Sequence, residues 1–180
     1  GAAVGVDPYR STQKLYEEIS GQRLPPQPTW FQAQQMNRGT TNEPIVRERV
    51  KAEDSSIKDI HEYGIFVHAA YPWLGGSPDG VITFKDAFRP PALLEIKCPL
   101  KIAAHPPLTH MMQVQFLMGL LNLPLCWYVQ YDAKTKEMFI QHIKFRPDVY
   151  FNFLLPRCNT FMLTRVIPYR ACPVPGVTLL

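Results

Sequence analysis

Two carboxylates and a lysine are the residues of this chain that could do chemistry together. Asp79 lies in a Ser-Pro-Asp-Gly segment, and Glu95 and Lys97 lie in a Leu-Glu-Ile-Lys-Cys-Pro segment. Residues 93–97 are predicted to form a short strand, on which successive side chains point to opposite faces. Glu95 and Lys97 therefore share one face, whereas the apolar residues that alternate with them point into a core.

A second strand is predicted over residues 81–84, joined to the first by a polar loop over residues 85–89. An antiparallel hairpin centred near Ala87 would place Asp79 roughly opposite Glu95. The two acids would then converge although they are far apart in the sequence.

Oxygen atoms that converge in this way suit a hard divalent cation such as Mg²⁺, with Mn²⁺ as a substitute. Asp79, Glu95 and the main-chain carbonyl of Ile96 could supply the oxygens, and a cation held there would activate a water molecule. Lys97 could orient that water and balance developing negative charge. The alternative is a surface hairpin with a solvated Glu/Lys pair. The apolar neighbours of Glu95 favour a functional role, because a buried strand seldom carries unpaired charge without a reason.

The same segments resemble the lambda exonuclease branch of the PD-(D/E)XK nucleases, also called YqaJ-type viral recombinases. A Gly-Thr-Thr-Asn-Glu segment ending at Glu43 and a His-Met-Met-Gln-Val-Gln segment, whose first glutamine is Gln113, follow the order of motifs in that family. Tyr131 and Asp132, ahead of a last strand and helix, also fit. The resemblance implies that Glu43 supports the metal or its water, and that Gln113 fixes Lys97 or the scissile phosphate.

The resemblance further implies a restriction-endonuclease-like α/β (α+β) core with a mixed central sheet flanked by helices. It implies an exonuclease that digests one strand of linear double-stranded DNA from the 5′ end, for recombination or viral DNA processing. Expected partners are double-stranded DNA ends, a single-strand annealing protein and two further copies in a homotrimeric ring. A DNA or RNA endonuclease and a catalytically inactive nucleic-acid-binding module are the alternatives.

Other basic residues are candidates for phosphate contacts, namely Lys101, Arg38 and Lys14. In the resembled family an arginine that contacts the 5′ phosphate lies in a segment preceding the one with which this sequence begins. We therefore expect a truncated N-terminus.

Length and composition agree with one nuclease domain over residues 1–180. The chain has 180 residues, 46% of them hydrophobic, which argues against disorder. A net charge of +4 permits a polyanionic partner without requiring one. No apolar run is long enough to cross a membrane, and no signal peptide opens the sequence. The scattered cysteines predict reduced thiols in an intracellular protein, in nucleus or cytoplasm.

The remaining pattern predicts helices on either side of the strands. Ser11 would cap a helix ending near residue 20, and a second helix would start at Thr41 or Asn42 and end near Ala52. Glu43 would lie in its first turn, where the helix dipole favours a carboxylate, so a purely structural role is the alternative. Other predicted elements are strands 57–62 and 65–68, helix 108–121, strands 125–131 and 138–143, a helix from 147 that kinks or ends at Pro156, and an extended tail over 165–180.

The second helix has a predicted core face and a predicted solvent face. Ile45, Val46 and Val50 would point inward, whereas Arg47 and Arg49 would be more exposed.

Overall fold

A computed structural model describes residues 2–8 and 10–171 of the chain. A 3₁₀ turn at Ala2–Val4 precedes the first helix. The helices and strands before the C-terminal segment are α1 (Thr12–Ile19), α2 (Trp30–Glu53), β1 (Ile57–His61), β2 (Phe66–Val67), β3 (Gly75–Gly76), β4 (Gly80–Phe84), β5 (Ala92–Lys97), α3 (Leu108–Leu121), β6 (Leu125–Tyr131) and β7 (Met138–Lys144).

The central sheet has the order β1-β4-β5-β6-β7, and β2 pairs with β3 in a separate two-stranded sheet. Strands β5 and β6 run parallel, whereas the other neighbours in the large sheet are antiparallel. The connection from β5 to β6 contains α3, since a parallel pair needs a crossover. The predicted mixed sheet flanked by helices is therefore confirmed.

Apolar side chains cover both faces of this sheet. On one face, Val46 and Val50 of α2 are fully buried against strand residues such as Leu94 and Ile96. On the other face, α3 packs against Leu93 and the facing side chains of β6. The two helices thus enclose β5 from opposite sides, and the end of β5 lies between them.

Helix α2 begins much earlier than the sequence pattern predicted. Thr29 caps it in a reciprocal arrangement with Gln32, so the helix begins at Trp30, eleven residues before Thr41. The turns before Asn42 contribute no buried side chain, so they carry no apolar periodicity that would reveal a helix. The predicted start at Thr41 or Asn42 is therefore wrong, and Glu43 lies in the middle of the helix, where the first-turn dipole argument does not apply.

The core face and the solvent face predicted for α2 are each wrong at one residue. Ile45 is 47% exposed, whereas Arg47 is buried with 8% exposure. Val46 and Val50 are buried as predicted.

The C-terminal segment stays helical through Pro156. It consists of consecutive helical elements: α4 (Pro147–Val149), a π-helical stretch at Tyr150–Leu154, α5 (Leu155–Phe161), a second π-helical stretch at Met162–Val166 and α6 (Ile167–Ala171). Proline lacks the amide that an α-helix needs, and the wider π turns before Pro156 accommodate that loss without ending the helix. The predicted tail is thus wrong for residues 165–171, and residues 172–180 lie outside the described part.

Other local predictions are confirmed. Ser11 caps α1 by accepting a hydrogen bond from the amide of Lys14, and α3 has the predicted bounds. The described cysteines, Cys98, Cys126 and Cys158, are free thiols. Within residues 2–8 and 10–171, no helix combines the length and apolar character needed to cross a membrane.

Candidate active site at the end of strand β5

The hairpin of β4 and β5 brings the two predicted acids together. Its register pairs Gly80 with Leu94, so one step further along places Asp79 opposite Glu95, as the sequence predicted. The carboxylate of Asp79 is also fixed, because its Oδ2 accepts a hydrogen bond of 2.7 Å from the amide of Ile96. Asp79 therefore turns back over the end of β5 rather than into solvent.

Glu95 and Lys97 form a buried pair on the same face of β5. The Nζ atom of Lys97 donates to Oε1 of Glu95 at 2.5 Å, and the side chains are 26% and 1% exposed, respectively. The second oxygen, Oε2 of Glu95, is buried and has no hydrogen-bond partner. A surface hairpin is therefore excluded, and one carboxylate oxygen remains free for a ligand.

The protonation equilibria reflect this burial. Burial raises the pKa of Glu95 to about 7, an effect that Lys97 opposes and Asp79 reinforces. Burial also raises the pKa of Asp79, against the hydrogen bond from Ile96 and the charges of Lys97 and Arg47. Burial disfavours the charge of Lys97, but Glu95, Asp79 and Glu43 together raise its pKa. Burial is therefore the main cause of both raised acid pKa values, and the acids in turn favour the charged form of Lys97.

A cavity of about 440 Å³ opens beside these residues, between α2 and α3. Glu43 lines it from α2, together with Asp79, Lys97 and the residues that follow β5. Burial, and then the charge of Asp79, raises the pKa of Glu43, which places its carboxyl group in the same electrostatic environment. The structure thus brings Glu43, Asp79 and Lys97 to one cavity, and Glu95 is buried behind it in its contact with Lys97.

Gln113 is not brought into this cavity. It is exposed and lines a separate cavity of about 210 Å³ with Val4 and Phe116. The residue of α3 that lines the candidate site is His110, one turn earlier. A ring nitrogen of His110 lies 2.7 Å from the hydroxyl of Tyr128, and burial followed by the charge of Lys97 lowers the pKa of the imidazole. A role for Gln113 stays a prediction from the family resemblance.

The three residues predicted to contact phosphate lie in different parts of the fold. Arg38 lies on the part of α2 that borders it and donates to Gln35, a residue that lines the cavity. Lys101 is exposed in the segment that follows β5. Lys14 is exposed on α1, and no described contact connects it with the acidic residues.

Arg47 is a residue of this site that the sequence pattern missed. It follows Glu43 by one helical turn, and its guanidinium donates to the main-chain carbonyl of Asp79 at 3.1 Å and to Glu62 at 2.8 Å. It was assigned to the solvent face because Val46 and Val50 define the inward direction. Spacing along a helix does not reveal that a loop folds over one flank.

The donor set fits a hard divalent cation. The unpaired Oε2 of Glu95, the carboxylate of Asp79 and the carbonyl of Ile96 are oxygen donors at one end of the hairpin, and oxygen is the ligand atom that such a cation prefers. Across the described residues, no three Asp, Glu, His or Cys side chains form a complete metal site on their own. Main-chain, water or phosphate oxygens would have to complete the coordination. Glu43, predicted to support the metal or its water, lines the adjoining cavity.

Comparison with known proteins shows the family and the fold of this chain. The YqaJ-like viral recombinase domain matches residues 1–119, which include Glu43, Asp79, Glu95 and Lys97. The chain therefore belongs to the YqaJ-like viral recombinase family, as its motifs predicted. No curated protein matches it.

Two solved structures share the fold. LHK-Exo, an alkaline exonuclease from Laribacter hongkongensis, is similar with a TM-score of 0.72 and 23% identity, over 94% of this chain and 87% of that chain. A structure of LHK-Exo in complex with dAMP is similar with a TM-score of 0.71 and 24% identity, over 88% and 82% of the two chains. The fold class predicted from the sequence is thereby confirmed.

Proposed function

We propose that this chain is a Mg²⁺-dependent deoxyribonuclease that digests one strand of linear double-stranded DNA from the 5′ end. The observation that carries the proposal is the convergence of Asp79, Glu95 and Lys97 at one end of the β4–β5 hairpin, with Oε2 of Glu95 buried and unpaired. Membership of a viral recombinase family supports DNA as the substrate and recombination or viral DNA processing as the role.

Asp79, Glu95 and the carbonyl of Ile96 would hold the cation, and Glu43 would support its water. When bound, Mg²⁺ would polarise a phosphoryl oxygen and lower the pKa of the attacking water. Mn²⁺ would substitute, since the donors are carboxylate and carbonyl oxygens.

The ammonium group of Lys97 would orient the attacking water and hold the negative charge that develops on the phosphate. Its hydrogen bond to Glu95 fixes its position on the strand, so little reorganisation is needed during the reaction. Arg38 and Lys101 are candidates to contact the DNA backbone, and the weaker candidate is Lys14, on α1.

A cleavage assay with three substrates tests the proposal. Linear duplex DNA with 5′ phosphates, the same sequence as a covalently closed circle, and single-stranded RNA would each be incubated with Mg²⁺ or EDTA. We expect loss of the linear duplex alone, only with Mg²⁺, and no loss with Lys97→Ala. Lys58→Ala, which removes an exposed lysine of β1, is the matched control and should cleave like the parent chain.

Each other outcome contradicts a part of the proposal. Cutting of the circle would indicate an endonuclease, and loss of RNA would change the substrate class. Cleavage in EDTA would refute the metal dependence. Binding without cleavage would favour the inactive binding module. DNA labelled separately at the 5′ and 3′ ends would reveal the direction of digestion, and sedimentation of the protein would test the trimer.

A further inference from the structure

The main chain before β4 is packed tightly on both sides of Asp79. A Cβ atom added to Gly76 would lie 2.6 Å from Leu117, and one added to Gly80 would lie 2.9 Å from Ile60. Between these two glycines, Pro78 is buried. The segment therefore approaches α3 on one side and β1 on the other.

The peptide of Asp79 is held by a single charged side chain of α2. Nη1 of Arg47 donates to the Asp79 carbonyl, while Nη2 of the same guanidinium lies 2.8 Å from Oε2 of Glu62. The side chain of Arg47 is 10% exposed, whereas that of Glu62 is 68% exposed. A guanidinium can engage two acceptors from fixed directions, which a lysine ammonium on a flexible stem cannot reproduce.

Asp79 is held at two points, one on its main chain and one on its side chain. The carbonyl of Asp79 faces Arg47, and its Oδ2 meets the amide of Ile96. Fixing the peptide therefore limits where the carboxylate can lie. Arg47 also follows Glu43 on the same helix, so one helix positions two of the three acids.

We propose that Arg47 is a positioning residue that holds the Asp79 peptide so that its carboxylate converges with Glu95. The expected effect on the binding of a divalent cation rests on the proposed function. The positioning of Asp79 by Arg47 does not require a metal. The described contacts of the Arg47 guanidinium are with the carbonyl of Asp79 and with Glu62, so its effect on the cation would be exerted through Asp79.

Hydrogen exchange of the Ile96 amide in EDTA tests the geometry directly. In Arg47→Ala this amide should exchange about 10-fold faster than in the parent chain, relative to the amide of Val129, because its acceptor is no longer held. Arg49→Ala is the matched control, since Arg49 lies on the same helix and donates to the carbonyl of Lys136 at 2.6 Å, at the turn between β6 and β7. Equal Ile96 exchange in the two variants would overturn the proposal.

Calorimetric titration with Mn²⁺ tests the consequence. We expect the Kd of Arg47→Ala to be about 10- to 100-fold higher, as for other residues that orient a metal ligand, and that of Arg49→Ala to be unchanged. Arg47→Lys should give a Kd between those of the parent chain and Arg47→Ala. If Arg47→Ala does not fold, Arg47→Lys replaces it in both the exchange and the titration experiments. Unchanged Ile96 exchange and Mn²⁺ affinity in Arg47→Lys would then overturn the proposal.

The two proposals fail differently. A parent chain that neither binds Mn²⁺ nor cuts DNA would refute the proposed function, and the exchange rate of Ile96 would still decide the role of Arg47. A parent chain that binds Mn²⁺ and cuts DNA, with Arg47→Ala indistinguishable from Arg49→Ala, would refute only the role of Arg47.

Discussion

Strand β5 is buried from Ala92 to Ile96, but its two halves differ in chemistry. Ala92, Leu93 and Leu94 have exposures of 1%, 0% and 0%, and all three are apolar. In the second half, Glu95 is 1% exposed and Lys97 is half-buried. The first half removes apolar surface from water, which stabilises the fold, whereas the second half desolvates charge, which opposes it.

The residues of β5 that stabilise the fold are therefore different from those that form the candidate site. The apolar half positions the hairpin register, and the register places Asp79 opposite Glu95. The charged half depends on the apolar half. A buried oxygen without a hydrogen-bond partner destabilises the fold, and the packing of the apolar residues must offset that cost. Substitutions in the two halves should therefore affect stability and activity in opposite ways.

The largest effect is expected for Glu95→Gln, which keeps the side-chain volume but removes its charge. DNA cleavage under single-turnover conditions with Mg²⁺ should fall by about 1,000-fold, because cation binding and charge stabilisation are lost together. The midpoint of thermal unfolding in EDTA at pH 8 should not fall, since an ionised buried carboxylate is removed. A loss of activity below 10-fold would mean that Glu95 is not at the reacting centre.

Leu93→Ala should have the reverse effect in the apolar half. Leu93 is fully buried against α3, and the cavity left by truncation should lower the free energy of unfolding by about 3 kcal/mol. Denaturant unfolding measures this loss. Cleavage well below the unfolding transition should stay within about 3-fold of the parent chain, because no charged group is removed. A large loss of activity in the folded variant would show that the two halves are not separable.

The charged half should also make stability depend on pH. Glu95 has a pKa of about 7 in the fold against an ordinary value of 4.5, so between these values the folded chain binds a proton that the unfolded chain has lost. The stabilisation that this proton contributes is fully present below pH 4.5 and is lost as the pH rises towards 7. The free energy of unfolding should fall by on the order of 3 kcal/mol over this range.

Denaturant unfolding in EDTA from pH 4.5 to pH 8 would measure this dependence. Subtracting the curve of Glu95→Gln cancels the contribution of groups that do not interact with Glu95, such as Asp54 and Asp132. Parallel curves for the two proteins would contradict the prediction.

The smallest effect separates two residues of α3. His110 lines the candidate site, whereas Gln113 lines another cavity. His110→Ala should lower the cleavage rate by about 10-fold, and Gln113→Ala by less than about 3-fold. The opposite order would indicate that Gln113, the residue implied by the family motif, enters the site when DNA is bound.

Local chemistry was sufficient to predict much of the fold. The bounds of α3 and β6 and the cap at Ser11 follow from periodicity and capping, which depend on neighbours in the sequence. The start of α2 was missed because its first turns bury nothing, so only the capping box at Thr29 marks them. The helix that starts at Pro147 does not end at Pro156, and the π turns that carry it past this proline leave no pattern in the sequence.

The sequence by itself determined which charged side chains meet at the end of β5 and the register that brings them together. Asp79, Glu95 and Lys97 were identified from residue types, strand alternation and the symmetry of one hairpin, all of which act over short separations. Only the tertiary structure decided the roles of Arg47 and His110, and the burial that raises the pKa of Glu95. These depend on two helices that approach the end of β5 from opposite faces, and side-chain packing between distant segments is not encoded in any local spacing.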